Sequence, residues 1–528
     1  MATRTDDRPL TRWRRVAMLT AGLAAATTAV SCSGSAKPTG SSGSTVRREL
    51  TYGSILSPPT LNPANGDPAY TAIYQWAYDP LVILQSDGTY APGLATKWGY
   101  VGKGNKTYEL TLRDGVKFSD GAALDAQAVK TYLDYVKTQK TGSVAGLAAN
   151  ITSVTVTGPQ TLRIALSQPD PSLTFYFAQS FGLGDIASPK AVANPKTLDS
   201  GTAGAGPYTL DVSKTVANDH YTFVQTPNYW DKSRQHWQTV TVRVIPNASS
   251  MIQAMQAGQV QAASGDATTL QAARAAQLTV IAPPQSLTGL NLLDRAGKVA
   301  KPLADVRVRQ ALNLAVDRPA IAQALYGDKN LALSQYALKG QPGYDEKLDG
   351  VYPHDVAKAK QLLADAGYPH GFTLSVLSAN LVGLDKVVQA IGGQLQDIGV
   401  TLKVDSKATA NDYLTSMVSG KYPVAGITYG LATLGTLYVG VVNPKGPFNP
   451  FHIADPKLTA LYGTYFAAGP DESNSAAQKV NAYLVDQAWT VPVVGAPLSY
   501  YTAKGITGLN ATSGNAGVPA LADVRPAG

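Results

Sequence analysis

Residues 372–404 read FTLSVLSANLVGLDKVVQAIGGQLQDIGVTLKV. Residues 372–377 alternate apolar and polar side chains, the period of a strand with one buried face. Residues 384–398 read as a helix, and Gly399 supplies the stop. Residues 400–404 alternate again. A strand, a helix and a strand in that order predict an α/β fold with mixed sheets, because a helical crossover returns the second strand parallel to the first.

The same grammar extends outward. Residues 305–326 set Val308, Ala311, Leu312, Ala315 and Val316 on one helical face. Within that stretch Asp317, as N-cap ahead of Pro319, starts a second helix that Gly327 ends. Residues 355–366 predict another helix, closed by Gly367. Toward the N-terminus, residues 49–54, 107–112 and 239–245 read as strands. Residues 152–157 and 161–166 flank Gly158-Pro159-Gln160 as a hairpin, and residues 250–257 read as a helix ending at Gly258. No internal repeat is visible.

Composition bounds the function. At 528 residues the chain is long enough for two to four domains of about 150 residues. A core of that size needs no covalent staples, and one Cys excludes an intramolecular disulfide, a zinc ribbon or an iron–sulfur cluster. Charged residues are only 15%, so the surface leans on neutral polar side chains, as is common outside the cytosol. The net charge of +8 is concentrated at the start. Residues 1–31 hold five arginines and two aspartates, so the chain beyond them carries +5. Its basic residues form no stripe interleaved with aromatics, and nucleic acid is not an expected partner.

The first 31 residues read as an export signal. Arg4, Arg8, Arg12, Arg14 and Arg15 precede an apolar run of residues 16–30, too short to span a bilayer. Ala29-Val30-Ser31-Cys32 resembles a bacterial lipobox, with Ala29 where Leu is usual, so Cys32 is the expected lipidation site. An ordinary signal peptide with an incidental Cys is the alternative. Arg14-Arg15 also faintly resembles a twin-arginine signal. Residues 32–47, rich in Gly and Ser, read as a flexible tether that would hold a body near the outer face of a cytoplasmic membrane.

Seven segments in chain order carry a family resemblance: YDPLV (78–82), GLATKW (93–98), LRDGVKFSDG (112–121), GPY (206–208), NYW (228–230), DVRVRQAL (305–312) with Asp317-Arg318, and AKQLLADAGY (359–368). Together they are similar to the extracellular solute-binding proteins of family 5, the oligopeptide, dipeptide and nickel class that feeds ABC importers. The resemblance spans residue 48 to about 522. It implies a periplasmic-binding-protein type II fold with two lobes, an extra third domain and a ligand cleft between the lobes. Domain I would comprise residues 48–76, 191–285 and 490–528, domain II residues 77–190, and domain III residues 286–489. It further implies a monomer that takes a peptide or other small solute and passes it to an ABC permease and ATPase, with no cofactor. Trp98, Arg113, Asp120, Gly121 and Trp230 would belong to the scaffold.

Many peptide binders of this family set a domain III Asp, a few residues after an aromatic, against the peptide ammonium. Here residues 424–435 read VAGITYGLATLG, with Tyr429 at the aromatic place and Ala432 at the Asp place, and no acidic residue lies between Lys421 and Asp455. An ammonium buried without a counter-charge costs several kcal/mol. Unblocked peptides are therefore expected to bind weakly, and a blocked peptide, a neutral glycoside or an aromatic solute are alternatives. Asp67 is the alternative anchor, unless it only shapes the turn before Pro68. Tyr70, Thr288 and Asn291 are further ligand candidates, and Tyr429, Thr433 and Tyr438 are those of domain III. Tyr74 and Trp76 add aromatic surface beside Tyr70, and core packing is expected for at least two of these three.

Catalytic signatures are absent: there is no G-x-S-x-G elbow, no H-E-x-x-H and no Walker loop. A secreted hydrolase on a similar scaffold is the alternative from another class. The five histidines share no i, i+4 face, and no metal site is expected.

Overall fold

The computed structural model describes residues 49–380, 383–431, 433–510 and 518–528. Residues 1–47, read from sequence as an export signal and tether around Cys32, and Ala432 lie outside the described residues. The strands are, in the first half, β1 (Glu49–Ser54), β2 (Val82–Leu84), β3 (Tyr90–Pro92), β4 (Ala95–Tyr100), β5 (Thr107–Leu112), β6 (Ile151–Gly158), β7 (Thr161–Leu166), β8 (Tyr208–Leu210), β9 (His220–Gln225), β10 (Thr239–Val244) and β11 (Ala262–Gly265). They continue with β12 (Thr279–Ile281), β13 (Pro284–Leu292), β14 (Phe372–Ala379), β15 (Val400–Lys407), β16 (Val424–Gly430), β17 (Thr490–Pro497) and β18 (Ser499–Thr502).

A seven-stranded mixed sheet runs β12-β18-β11-β1-β10-β9-β8, with β1 parallel to both its neighbours. A four-stranded antiparallel sheet, β4-β5-β7-β6, belongs to the same lobe. A five-stranded sheet, β15-β14-β16-β13-β17, builds the other lobe, with β14 parallel to β15 and β16. The opening stretch behaves as its periodicity predicts. The helix is α over Leu384–Leu395, tightens to a 3-10 turn at Gln396–Ile398, and stops at Gly399 with φ 76°. Asp305, Asp317 and Asp355 cap their helices by accepting from backbone N–H groups, and Gly327 closes the helix Arg318–Tyr326 in the left-handed region.

The chain passes between the two large sheets twice. β12 leads into β13 through residues 282–283, and β17 leads into β18 through Leu498. β12 and β18 are neighbours in one sheet, and β13 and β17 are neighbours in the other. The two passages therefore run side by side, as a paired hinge. The second lies later than the 490 expected from sequence. Residues 490–497 look locally like any buried strand, and only their pairing with β13 assigns them to the second lobe.

The resemblance motifs are bonded to one another. Asp79, 2% exposed, accepts from Tyr229 Oη (2.7 Å), Trp230 Nε1 (2.9 Å) and Arg234 Nη1 (3.3 Å). The Arg113 guanidinium sits 4.1 Å from the Trp230 ring centroid. Gly206 must be glycine, since a Cβ there would lie 2.4 Å from the Ala77 carbonyl carbon. Tyr74 and Trp76 are buried in the core of this lobe, and Tyr70 packs half-buried against it. No helix among the described residues is long and apolar enough to cross a membrane.

Candidate functional site

The paired hinge leaves the two lobes facing each other. From the second lobe come the C-terminal end of β16 and the segment that follows it. Thr433 caps the short helix Leu434–Leu437: its Oγ1 accepts from Thr436 N (3.1 Å) while Thr436 Oγ1 accepts from Thr433 N (3.2 Å). A π turn, Tyr438–Val442, follows at once. Such wide turns are rare and frequently mark functional sites. Tyr429 Oη donates to Thr436 O (2.7 Å), and its ring meets Phe448 edge-on at 5.5 Å. Burial pushes the Tyr429 phenol up to about 12, so it stays a neutral donor at ordinary pH. Tyr429 rests against Gly440, where a Cβ would come 2.3 Å from its Oη. Tyr438 packs against Tyr462 and Phe466, at ring separations of 4.7 and 5.2 Å.

The structure thus gathers Tyr429, Thr433 and Tyr438 around one short helix, with an aromatic wall of Tyr462, Tyr465 and Phe466 behind them. It does not bring the other candidates to that point. Thr288 and Asn291 are 1% and 0% exposed within β13. Three residues apart on a strand, they project from opposite faces. Thr288 Oγ1 lies 3.1 Å from Thr428 Oγ1, and Asn291 Nδ2 donates to Phe448 O (3.1 Å). Asp67 belongs to the first lobe. Its Oδ1 accepts from Ala69 N (2.9 Å), capping the turn Pro68–Tyr70, and its Oδ2 accepts from Ser143 Oγ.

Two residues that sequence reasoning passed over reach across from the first lobe. Asn105 Nδ2 donates to Phe466 O (2.9 Å) and Ala468 O (2.8 Å). Ser172 Oγ lies 3.3 Å from Thr433 Oγ1. Asn105 closes a Gly-rich turn, the only local sign it offered; nothing in the sequence around Ser172 marks it. Among the described residues no cluster of three or more His, Cys, Asp or Glu could hold a metal ion.

Two sheets joined by paired hinge strands, each lobe presenting a face to the other, define the type II class of periplasmic solute-binding proteins. The chain belongs to the bacterial extracellular solute-binding proteins, family 5, whose model matches residues 89–436. The glutathione-binding protein GsiB of Salmonella paratyphi A is 29% identical over 364 residues, 65% of this chain and 67% of that protein. The nickel-binding periplasmic protein of Escherichia coli is 29% identical over 332 residues, 61% of each chain. The crystal structure of the ABC transporter substrate-binding protein CtaP of Listeria monocytogenes superposes with a TM-score of 0.76 at 20% identity, covering 91% of this chain and 99% of that one. These relatives are binding proteins, and a solute-binding role follows for this chain.

Proposed function

We propose that the protein captures a peptide or peptide-like solute outside the cell by closing its two lobes about the paired hinge, and delivers it to the membrane permease of an ABC importer. The observation that carries this is the pairing of β12 with β18 and of β13 with β17, which leaves two adjacent short connections to bend. A solute that touches both lobes selects the closed form, whereas one that touches a single lobe shifts nothing. Tyr429, Thr433 and Tyr438 supply the contact surface of the second lobe, with Asp67 and Tyr70 on the first, and Thr288 and Asn291 support it from within β13. Similarity to a glutathione-binding and a nickel-binding protein supports a small polar cargo.

The aromatic wall of Tyr438, Tyr462 and Phe466 favours a second reading, in which the solute is a neutral glycoside or aromatic compound stacked on those rings. Native mass spectrometry of the freshly purified protein decides between them: a peptide mass bound one-to-one supports the first, a glycoside or aromatic mass the second. No bound solute, together with no thermal shift from panels of either class, ends both. Random unblocked tripeptides are expected to bind more weakly than about 0.1 mM in calorimetry. Micromolar binding across such peptides overturns the argument from the missing acidic residue.

A lipid on Cys32 would anchor the body at the membrane, with the tether setting its reach. Cys32→Ala is expected to abolish palmitate labelling and to move the protein from the membrane to the soluble fraction. Labelling that persists in the variant removes the anchor.

A further inference from the structure

We propose that the closed arrangement is held by a direct clasp between the lobes: the Asn105 amide binds the carbonyl end of the helix Pro456–Ala467 while Ser172 meets Thr433, so closure competes with opening before any solute arrives. This rests on the hinge motion proposed above and names the residues that set its resting balance.

The last carbonyls of an α-helix have no partner within the helix. Phe466 and Ala468 lie at the end of Pro456–Ala467, and both of their carbonyls accept from the one Asn105 side-chain nitrogen. Asn105 is only 6% exposed, although it sits on a turn. Its backbone is left-handed, with φ 50°, and Gly102 and Gly104 before it have φ 75° and 84°. Asn tolerates that region better than most residues, and its short amide then leads the turn.

The two points of the clasp are braced as one unit. Asp170 N donates to Asn105 O (3.2 Å), and Asp170 Oδ1 accepts from Ser172 N (2.8 Å). Tyr100 Oη donates to Asp170 O and accepts from Leu173 N. On the opposite lobe, Thr433 and the helix end are joined through packed rings, with Phe466 against Tyr438. Neither contact survives rotation about the hinge. Once the lobes part, the amide and both carbonyls hydrate, so the clasp shifts a balance and does not lock it.

The test is small-angle scattering of solute-free protein, stripped of any bound solute by denaturant and refolded, for the wild type and two variants. Asn105→Gly keeps the left-handed turn without strain and removes the amide. Asn105→Asp sets a carboxylate against two carbonyl oxygens. The closed-to-open ratio is expected to fall about fivefold for Asn105→Gly and further for Asn105→Asp, with a radius of gyration rising in that order and unchanged far-ultraviolet circular dichroism. Identical scattering from all three proteins, or a wild type already fully open, overturns the clasp. No solute enters this experiment, so a failure to find one by mass spectrometry sinks the proposed cargo and leaves the scattering result standing.

Discussion

Replacing Asp79 with Ala is expected to cost the protein about 3–5 kcal/mol of unfolding free energy, measured as a shift of the urea midpoint. Asp79 is almost fully buried, and three donors from the one loop between β9 and β10 converge on its carboxylate. Burial pushes this carboxyl up, while Arg234, Tyr229 and Trp230 pull against that rise. Removing the acceptor leaves the Arg234 guanidinium, whose side chain is 14% exposed, with the half-exposed Asp523 carboxylate at 3.4 Å and the neutral Tyr229 Oη at 3.4 Å. It also leaves the Tyr229 hydroxyl and the Trp230 indole N–H without an acceptor, each a buried donor unmade. Asp79→Asn keeps the shape and one acceptor, and is expected to lose about half as much. A loss under 1 kcal/mol for Asp79→Ala would show that the network does not tie residues 78–82 to residues 228–234. The consequence reaches function. The hinge motion proposed above needs each lobe to move as one body, and this network joins the segment leading into the four-stranded sheet to the loop between β9 and β10 in the seven-stranded sheet.

Asp185→Asn is expected to do the opposite, stabilising the protein at pH 8 by about 2 kcal/mol and changing little at pH 4. Asp185 is 1% exposed, and among the described residues neither of its carboxyl oxygens has a hydrogen-bond partner. Burial first, and then the nearby charge of Asp79, hold this carboxyl well above its usual range. The folded protein therefore keeps a proton that the unfolded chain releases above about pH 4. Stability is undiminished below that value and falls as the pH climbs toward the folded value. Asn cannot ionise, so it removes the pH-dependent part and leaves the low-pH stability nearly unchanged. Urea midpoints of both proteins at pH 4 and pH 8 measure this. A gain of equal size at both pH values would show that packing, not protonation, separates them.

Much of the fold was written locally. Asp305, Asp317 and Asp355 stand where helices begin and Gly327 and Gly399 where they end, because capping is settled within one turn of chain. β5 and β7 bury alternate residues, since a half-buried strand declares itself by period two. The candidate site was legible only in part. Tyr429, Thr433 and Tyr438 flank one short helix, because they lie within ten residues along one strand end and the turn after it. Thr288 and Asn291 lie in β13, that strand's partner, and are buried inside the sheet. Asp67 is engaged by its own turn and by Ser143, a bond that sequence spacing does not reveal.

The sequence by itself determined the α/β grammar, the helix boundaries and the absence of disulfide and cluster chemistry, and its ordered motifs pointed to the family. Each of these depends on residue type and short-range spacing. Tertiary structure alone decided that residues 490–497 join the second lobe, that Asp79 gathers Tyr229, Trp230 and Arg234, and that Asn105 meets Phe466 and Ala468 more than 360 positions away. Those choices belong to pairings between distant segments. Their free energy appears only after loop closure and burial bring the partners together, so no local pattern encodes them.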